Sequence, residues 1–207
     1  MPDRYKTILL FGAPGAGKGT QGKILGQIPG FFHLACGDVF RSLDTTSELG
    51  QEFLKFSSKG ELVPDSLTVE MWRQNMQAQT TLSHFKPNVD LLVLDGIPRS
   101  TPQAEALEKY VDVLCVIHLV CKDESRMIER MKRRAIKENR IDYADESVIR
   151  KRFNVYNSET SPVLNHYDSD IVHEVDAVGS PASVLQHVLE VLVPVQDHHF
   201  KNPLIGK

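Results

Sequence analysis

Nine consecutive residues constrain this chain more than any other feature. Gly12-Ala13-Pro14-Gly15-Ala16-Gly17-Lys18-Gly19-Thr20 follows an apolar run at residues 7–11 and leads into a helical segment reaching about residue 28. A strand that turns through glycines into a helix, with a lysine where the helix opens, is a phosphate-binding loop. Without Cβ atoms in the way, successive backbone N–H groups can point into one hollow and approach an anion closely. The N-terminus of the helix adds favourable potential for the same anion. Lys18 then brings a mobile positive charge to the outer phosphates. Gly19, rather than Ser or Thr, follows the lysine, and the hydroxyl arrives one place later at Thr20.

A strand–loop–helix start predicts more of the same, and the rest of the chain repeats the alternation. Phe31–Ala35 and residues 91–94, 113–120 and 170–175 are short runs rich in Val, Ile, Leu and Phe, separated by longer amphipathic stretches. Continuous apolar runs belong to strands covered on both faces, as in a parallel sheet. The expected fold is a doubly wound α/β sandwich. At 207 residues this is a single domain with room for inserted flaps. Two segments break the rhythm. Residues 35–64 are helical with no strand partner, and residues 133–145 are charged and nearly free of large apolar side chains. Residues 194–207, with two prolines and His198-His199, read as an irregular tail.

The charged side chains near the expected strand ends carry the chemistry. Asp95 ends a buried strand and is followed by Gly96-Ile97-Pro98-Arg99. It is either a turn former or a carboxylate facing the phosphate loop. Arg126, Arg130 and Arg134 recur every four residues on one helix face. Arg126 reads as solvated, whereas the other two are candidates for the site. On a helical period after Asp145, Arg152 falls inside the apolar arc of Val148, Ile149, Phe153, Val155 and Tyr156, while Arg150, Lys151 and Asn154 face away. A guanidinium on the buried side needs an anion: a phosphate, or a structural pair with Asp142 or Asp145.

With these residues in view, the chain resembles the adenylate kinases, nucleoside monophosphate kinases of the short-lid type, over about residues 6–192. The loop has their Gly-x-Pro-Gly-x-Gly-Lys-Gly-Thr form. Further similar motifs follow in order: Cys36-Gly37-Asp38-Val39-Phe40-Arg41, Gly60-Glu61-Leu62-Val63-Pro64-Asp65, Asp95-Gly96-Ile97-Pro98-Arg99-Ser100-Thr101-Pro102-Gln103, and finally Arg130, Arg134, Asn139-Arg140-Ile141-Asp142 and Arg152. The resemblance implies a P-loop three-layer sandwich whose five-stranded parallel sheet has the order 2-3-1-4-5. Helices lie on both faces, with an insert for the monophosphate at about 35–64 and a short lid at about 133–145. It implies reversible, Mg-dependent transfer between ATP and AMP. Gly15, Ala16, Gly17, Lys18, Gly19, Thr20, Arg130 and Arg134 would take ATP. Cys36, Arg41, Glu61, Leu62, Val63, Gly96, Ile97, Pro98, Arg99, Gln103, Arg140 and Arg152 would take AMP, with Gln103 on the adenine edge. Lys18, Arg99, Arg134, Arg140 and Arg152 would act in transfer, and Asp95 and Asp38 would hold Mg2+ mainly through water. The sequence departs from the family pattern at Cys36 (usually Thr), Ile97 (Phe) and Asn139 (Gly), and by one extra residue between Asp142 and Arg152.

Transfer between phosphates needs positioning and cations rather than a general base, and no Ser-His-Asp or Cys-His set suggests itself. Three cysteines, Cys36, Cys115 and Cys121, make no disulfide framework. With none in the lid segment, no structural zinc is expected. A net charge of −3 argues against a nucleic-acid coat. No membrane span or leader is apparent, so the expectation is a cytoplasmic monomer whose partners are ATP and AMP or ADP. Two other readings stay open: a UMP/CMP kinase, suggested by the small residue at position 36, and a nucleotide-binding module without turnover.

Overall fold

Alternate side chains of the first strand, Tyr5–Gly12 (β1), enter two different cores. Ile8 and Leu10 pack on one side, Leu9 and Phe11 on the other, and all four are buried. That is the pleat of a strand covered on both faces. The computed structural model describes residues 4–137 and 146–199. Four further strands complete the sheet: Phe31–Ala35 (β2), Leu91–Asp95 (β3), Val111–Val120 (β4) and Val172–Asp176 (β5). All neighbouring pairs are parallel, in the order β2-β3-β1-β4-β5. This is the expected order, and every expected strand is found within a residue or two of its expected ends.

Parallel neighbours need crossovers, and these supply the two outer layers. On the face of Ile8 and Leu10 lie helices Lys18–Leu25 (α1), Glu124–Lys137 (α6), Glu146–Val155 (α7) and Pro181–His199 (α8), contributing Leu25, Met127, Ile149 and Val188 to one core. On the opposite face, Cys36–Arg41 (α2), Asp65–Thr81 (α4) and Thr101–Leu107 (α5) contribute Phe40, Trp72, Met76 and Leu107. Glu48–Ser57 (α3) lies in the 35–64 segment, between α2 and α4. Its Phe53 stacks on Phe40 with ring centres 5.0 Å apart.

Residues 133–137, the start of the expected 133–145 lid, complete α6, and residues 138–145 lie outside the described residues. One expectation needs correction. The segment from 194 is not irregular at its start: α8 runs through Pro194 to His199. A proline inside a helix forfeits a backbone hydrogen bond, at about 3 kcal/mol. The apolar stripe nevertheless continues past it, with Val191 and Val195 packed on the core beside Leu192. Gln196 also donates to the Pro29 carbonyl at 2.8 Å. The burial already begun by Val184 and Val188 outweighs the local penalty.

Candidate functional site

Because every strand points the same way, their carboxyl ends share one edge of the sheet. Register places Asp95, at the end of β3, beside Leu10 of β1 and Ala35 of β2, and Gly12 beside Leu119 of β4. A cleft of about 820 Å3 opens along this edge, within the range of small-molecule sites. The phosphate loop forms its floor. Gly15 and Gly17 both have positive φ, 84° and 104°, a conformation that β-carbons disfavour. A methyl group on Gly15 would meet the Met127 carbonyl at 2.8 Å, whereas one on Gly17 would meet nothing within 4 Å. The loop is thus pinned against α6 at one glycine and faces open space at the other, where α1 begins.

Lys18 reaches back along the loop and donates to the carbonyls of Gly12 at 2.5 Å and Ala13 at 3.2 Å. Burial in the cleft wall pulls its pKa down to about 8; the Asp95 charge opposes this, and Arg99 and Arg134 add to it. The lysine therefore sits within the field of two arginines and one carboxylate, poised to gain from an added anion. Asp95 is 9% exposed, and its Oδ2 lies 3.4 Å from where a side chain on Gly19 would begin. At that distance a Cβ makes an ordinary van der Waals contact, and nothing in the structure explains Gly19 in place of a hydroxyl residue.

Guanidinium groups line the rest of the cleft. Arg41, Arg99, Arg130, Arg134 and Arg152 all contribute to it, from α2, the β3–α5 turn, α6 and α7. Arg99 is fixed by its Nε–H, which donates to the Gly96 carbonyl at 2.8 Å. Arg130 donates to the Ala177 carbonyl at 3.3 Å, tying α6 to the loop after β5. Arg41 pairs with Asp38. Burial works against the Asp38 carboxylate, but the hydrogen bond and charge of Arg41, with Lys23 and Arg134, hold its pKa below the usual range. Arg152 is half-buried, as its helical phase predicted, and donates to the Ser57 carbonyl at 3.3 Å. The carboxylates first considered for it, Asp142 and Asp145, lie outside the described residues, as does Arg140. Arg126 pairs with Asp123 at 3.1 Å and points elsewhere, in line with its solvated reading.

A second, tight hollow of about 50 Å3 adjoins the cleft between α2, α3, α5 and the 60–63 turn. Cys36, Leu62, Val63, Gly96 and Gln103 line it, with Arg99 and Arg152 at its junction with the cleft. Burial pushes the Cys36 thiol up to about 11, so it is a neutral S–H at ordinary pH. Pro98 and Glu61 reach the cleft, and so do Gly15 to Thr20. Among the described residues, Ile97 alone of the expected site residues is placed elsewhere: it is 2% exposed in the core and lines neither hollow. No sequence pattern pointed to Ser57 and Thr68, which line the smaller hollow, or to Gln21 and the 177–181 loop at the far end of the cleft. Tyr156, expected only as part of the apolar arc, also lines the cleft and shares a 3.1 Å hydrogen bond with His118 of β4. Such pairings join residues far apart in the chain and leave no local pattern.

Comparison with known proteins agrees with this geometry. The sequence model of the family described as adenylate kinase matches residues 10–172. The adenylate kinase of Flavobacterium psychrophilum is 33% identical over 192 residues, covering 89% of this chain and 97% of the relative. That of Rhodococcus erythropolis is 38% identical over 191 residues (89% and 98%), and that of Thermus thermophilus 32% over 196 residues (92% and 98%). Similarity of this extent spans the phosphate loop, the arginines and the smaller hollow alike, and the chain belongs to the adenylate kinase family.

Proposed function

We propose that the chain catalyses the reversible transfer of the γ-phosphoryl group of ATP to the phosphate of AMP, giving two molecules of ADP. One observation carries the reading: Lys18 and the arginines at 41, 99, 134 and 152 line one cleft between the phosphate loop and the helical insert. An oxygen of the AMP phosphate attacks the γ-phosphorus, the bond from that phosphorus to the β,γ-bridging oxygen breaks, and ADP leaves with the electron pair. The acceptor oxygen is already ionised, so no side chain has to take a proton. The work that remains is to hold two polyanions in line and balance the charge on the equatorial oxygens.

In this reading the loop from Gly15 to Thr20 takes the donor phosphates, with Lys18 exchanging its carbonyl partners for phosphate oxygens. Arg130 and Arg134 lie on the donor side. Arg41, Arg99 and Arg152 take the acceptor phosphate, and the hollow of Cys36, Val63 and Gln103 takes its base; Arg140 is assigned to the same group by its motif. Asp95 and Asp38 suit Mg2+, which favours one or two carboxylates and otherwise keeps water and substrate phosphates as ligands. Bound there with ATP, the ion would neutralise charge on the donor phosphates. The acceptor hollow is far below the volume of an ordinary ligand site, so a base enters only when the 35–64 insert moves outward. Closure would then exclude water from the donor. Segment 133–145 is assigned as the second cover by its resemblance to short lids. Three unbridged cysteines support a reducing, cytoplasmic setting, and we take the protein to act as a monomer without nucleic-acid or membrane partners.

A coupled assay with Mg-ATP and AMP, UMP, CMP or GMP tests the assignment. The expected result is turnover with AMP well above the others. Comparable rates with UMP end the AMP assignment, and tight nucleotide binding without turnover ends the kinase reading.

A further inference from the structure

Gln103 is 1% exposed, and both ends of its amide are held. Its Oε1 accepts the backbone N–H of Arg99 at 2.8 Å, and its Nε2 donates to Asp65 Oδ1 at 2.7 Å. The same Asp65 oxygen accepts from Ser100 Oγ at 2.8 Å, and Ser100 Oγ in turn accepts the Gln103 backbone N–H at 3.3 Å. Asp65 is the first residue of α4 and Gln103 lies in α5, so the contact joins two helices across 38 positions of sequence.

The two ends of a side-chain amide are nearly the same shape, and their partners decide which way it points. Turning Gln103 over would set its oxygen against the Asp65 carboxylate and its NH2 against the Arg99 N–H. Two hydrogen bonds, one of them charge-assisted, would become two repulsive contacts. In the orientation held here the amide retains one N–H and one oxygen lone pair for the hollow it lines.

We propose that Asp65 is a positioning residue that fixes the sense of the Gln103 amide and so makes the acceptor site select a 6-aminopurine over a 6-oxopurine. A free amide pairs with either edge. It meets a ring acceptor beside an exocyclic NH2 in one orientation and a ring N–H beside an exocyclic oxygen in the other. Removing one orientation removes one class of base, because the wrong edge then faces donor with donor and acceptor with acceptor inside a buried site. The proposal rests on the reading of the hollow as the acceptor-base site.

The test compares AMP with IMP, which differ at the purine 6-position and the adjoining ring nitrogen, in the intact enzyme with Mg-ATP. Asp65→Ala is expected to raise the KM for AMP about tenfold, with kcat at saturating AMP and the KM for ATP within about twofold. The AMP-over-IMP ratio of kcat/KM is expected to fall about tenfold or more. Asp65→Asn, nearly the same shape but uncharged, is expected to lie between and to keep the parent Tm; it carries the test if the alanine variant does not fold. Gln103→Leu is the reference. If it abolishes the AMP preference while both Asp65 variants keep the parent ratio, the positioning role is wrong and the base site stands. If Gln103→Leu leaves the KM for AMP and the ratio unchanged, the base site itself is misplaced. If the Asp65 variants raise both KM values together as Tm falls, Asp65 only supports the fold, and the proposal fails.

Discussion

The phosphate loop and the acceptor hollow are built in opposite ways. The loop is mostly backbone: one contiguous stretch, shaped by glycines at positive φ, set between β1 and α1, and closed by a lysine bonded to the loop's own carbonyls. The hollow is mostly side chains, gathered from α2, α3, the 60–63 turn, α4, the β3–α5 turn, α5 and α7. Backbone cradles suit a ligand group common to every nucleoside triphosphate. Side-chain pockets suit the part that must be told from its competitors, since one substitution there changes a donor or an acceptor. On the function proposed above, the contrast separates catalytic power, assigned to the loop and its cations, from selectivity, assigned to the surroundings of Cys36 and Gln103.

The most forceful way to break this contrast is Lys18→Met. Loss of a cation aimed at developing charge lowers kcat by about 10²–10³-fold, with the AMP preference unchanged if power and selectivity are separate. The variant should be no less stable than the parent. Folding buries an ammonium whose pKa falls from 10.5 to about 8, and a charged group in such a place opposes folding. The sign follows from proton binding: between pH 8 and 10.5 the unfolded chain holds the extra proton, so the stability of the ligand-free parent rises with pH across that window. The Met variant should lack this rise, and melting curves from pH 7 to 10 check it.

Activity runs the other way with pH, and the effect is smaller. Above about pH 8 the ligand-free cleft loses the Lys18 charge, so kcat/KM for ATP should fall by up to about tenfold per pH unit. Bound phosphates draw the proton back, so kcat should hold to higher pH. A flat kcat/KM profile up to pH 9.5 would mean that the ammonium is not buried as described.

Two glycine substitutions sharpen the account of the loop itself. Each places an L side chain at positive φ, at about 1–2 kcal/mol. Gly15→Ala also drives a methyl into the Met127 carbonyl, while Gly17→Ala meets no protein atom. The first should lower Tm by much more than the second. Gly17→Ala should fold and raise the KM for ATP about tenfold, because its methyl occupies the space meant for phosphate. Equal losses of Tm with an unchanged KM would show that the open space at Gly17 serves no ligand.

Contiguity explains what the sequence disclosed and what it withheld. The loop, the positions of the five strands and the phase of Arg152 follow from spacing within short windows, and all three hold in the structure; the strand order followed from the family resemblance instead. Ile97 was expected at the site through its place in the motif that resembles the family, but a turn leaving a buried strand sends one of its side chains inward. The helix through Pro194 was masked by a local rule, since a proline opposes a helix unless packing beyond it compensates, and Val195 supplies that packing. The lock of Asp65 on Gln103 and the Tyr156–His118 contact each span 38 positions. No periodicity encodes them; they exist only once two helices, or a helix and a strand, are brought together.

The smallest effect concerns the link between the two regions. Lys151 of α7 donates to Glu61 at 2.6 Å, tying the wall of the acceptor hollow to the helix that carries Arg152. The hydrogen bond and charge of Lys151 hold the Glu61 carboxyl below its usual range, so the tie is complete at neutral pH and weakens only as acid protonates the carboxylate. Both side chains are well exposed, at 47% and 38%, and exposed pairs are weak and screened by salt. Lys151→Gln should therefore loosen the insert only slightly, raising the KM for AMP by no more than about threefold and leaving that for ATP unchanged. At about 1 M salt, where screening acts within about 3 Å, the parent should behave like the variant. A matching rise in the KM for ATP would mean that the insert and the loop move as one body. Their separation into a rigid cradle and a yielding pocket would then have to be given up.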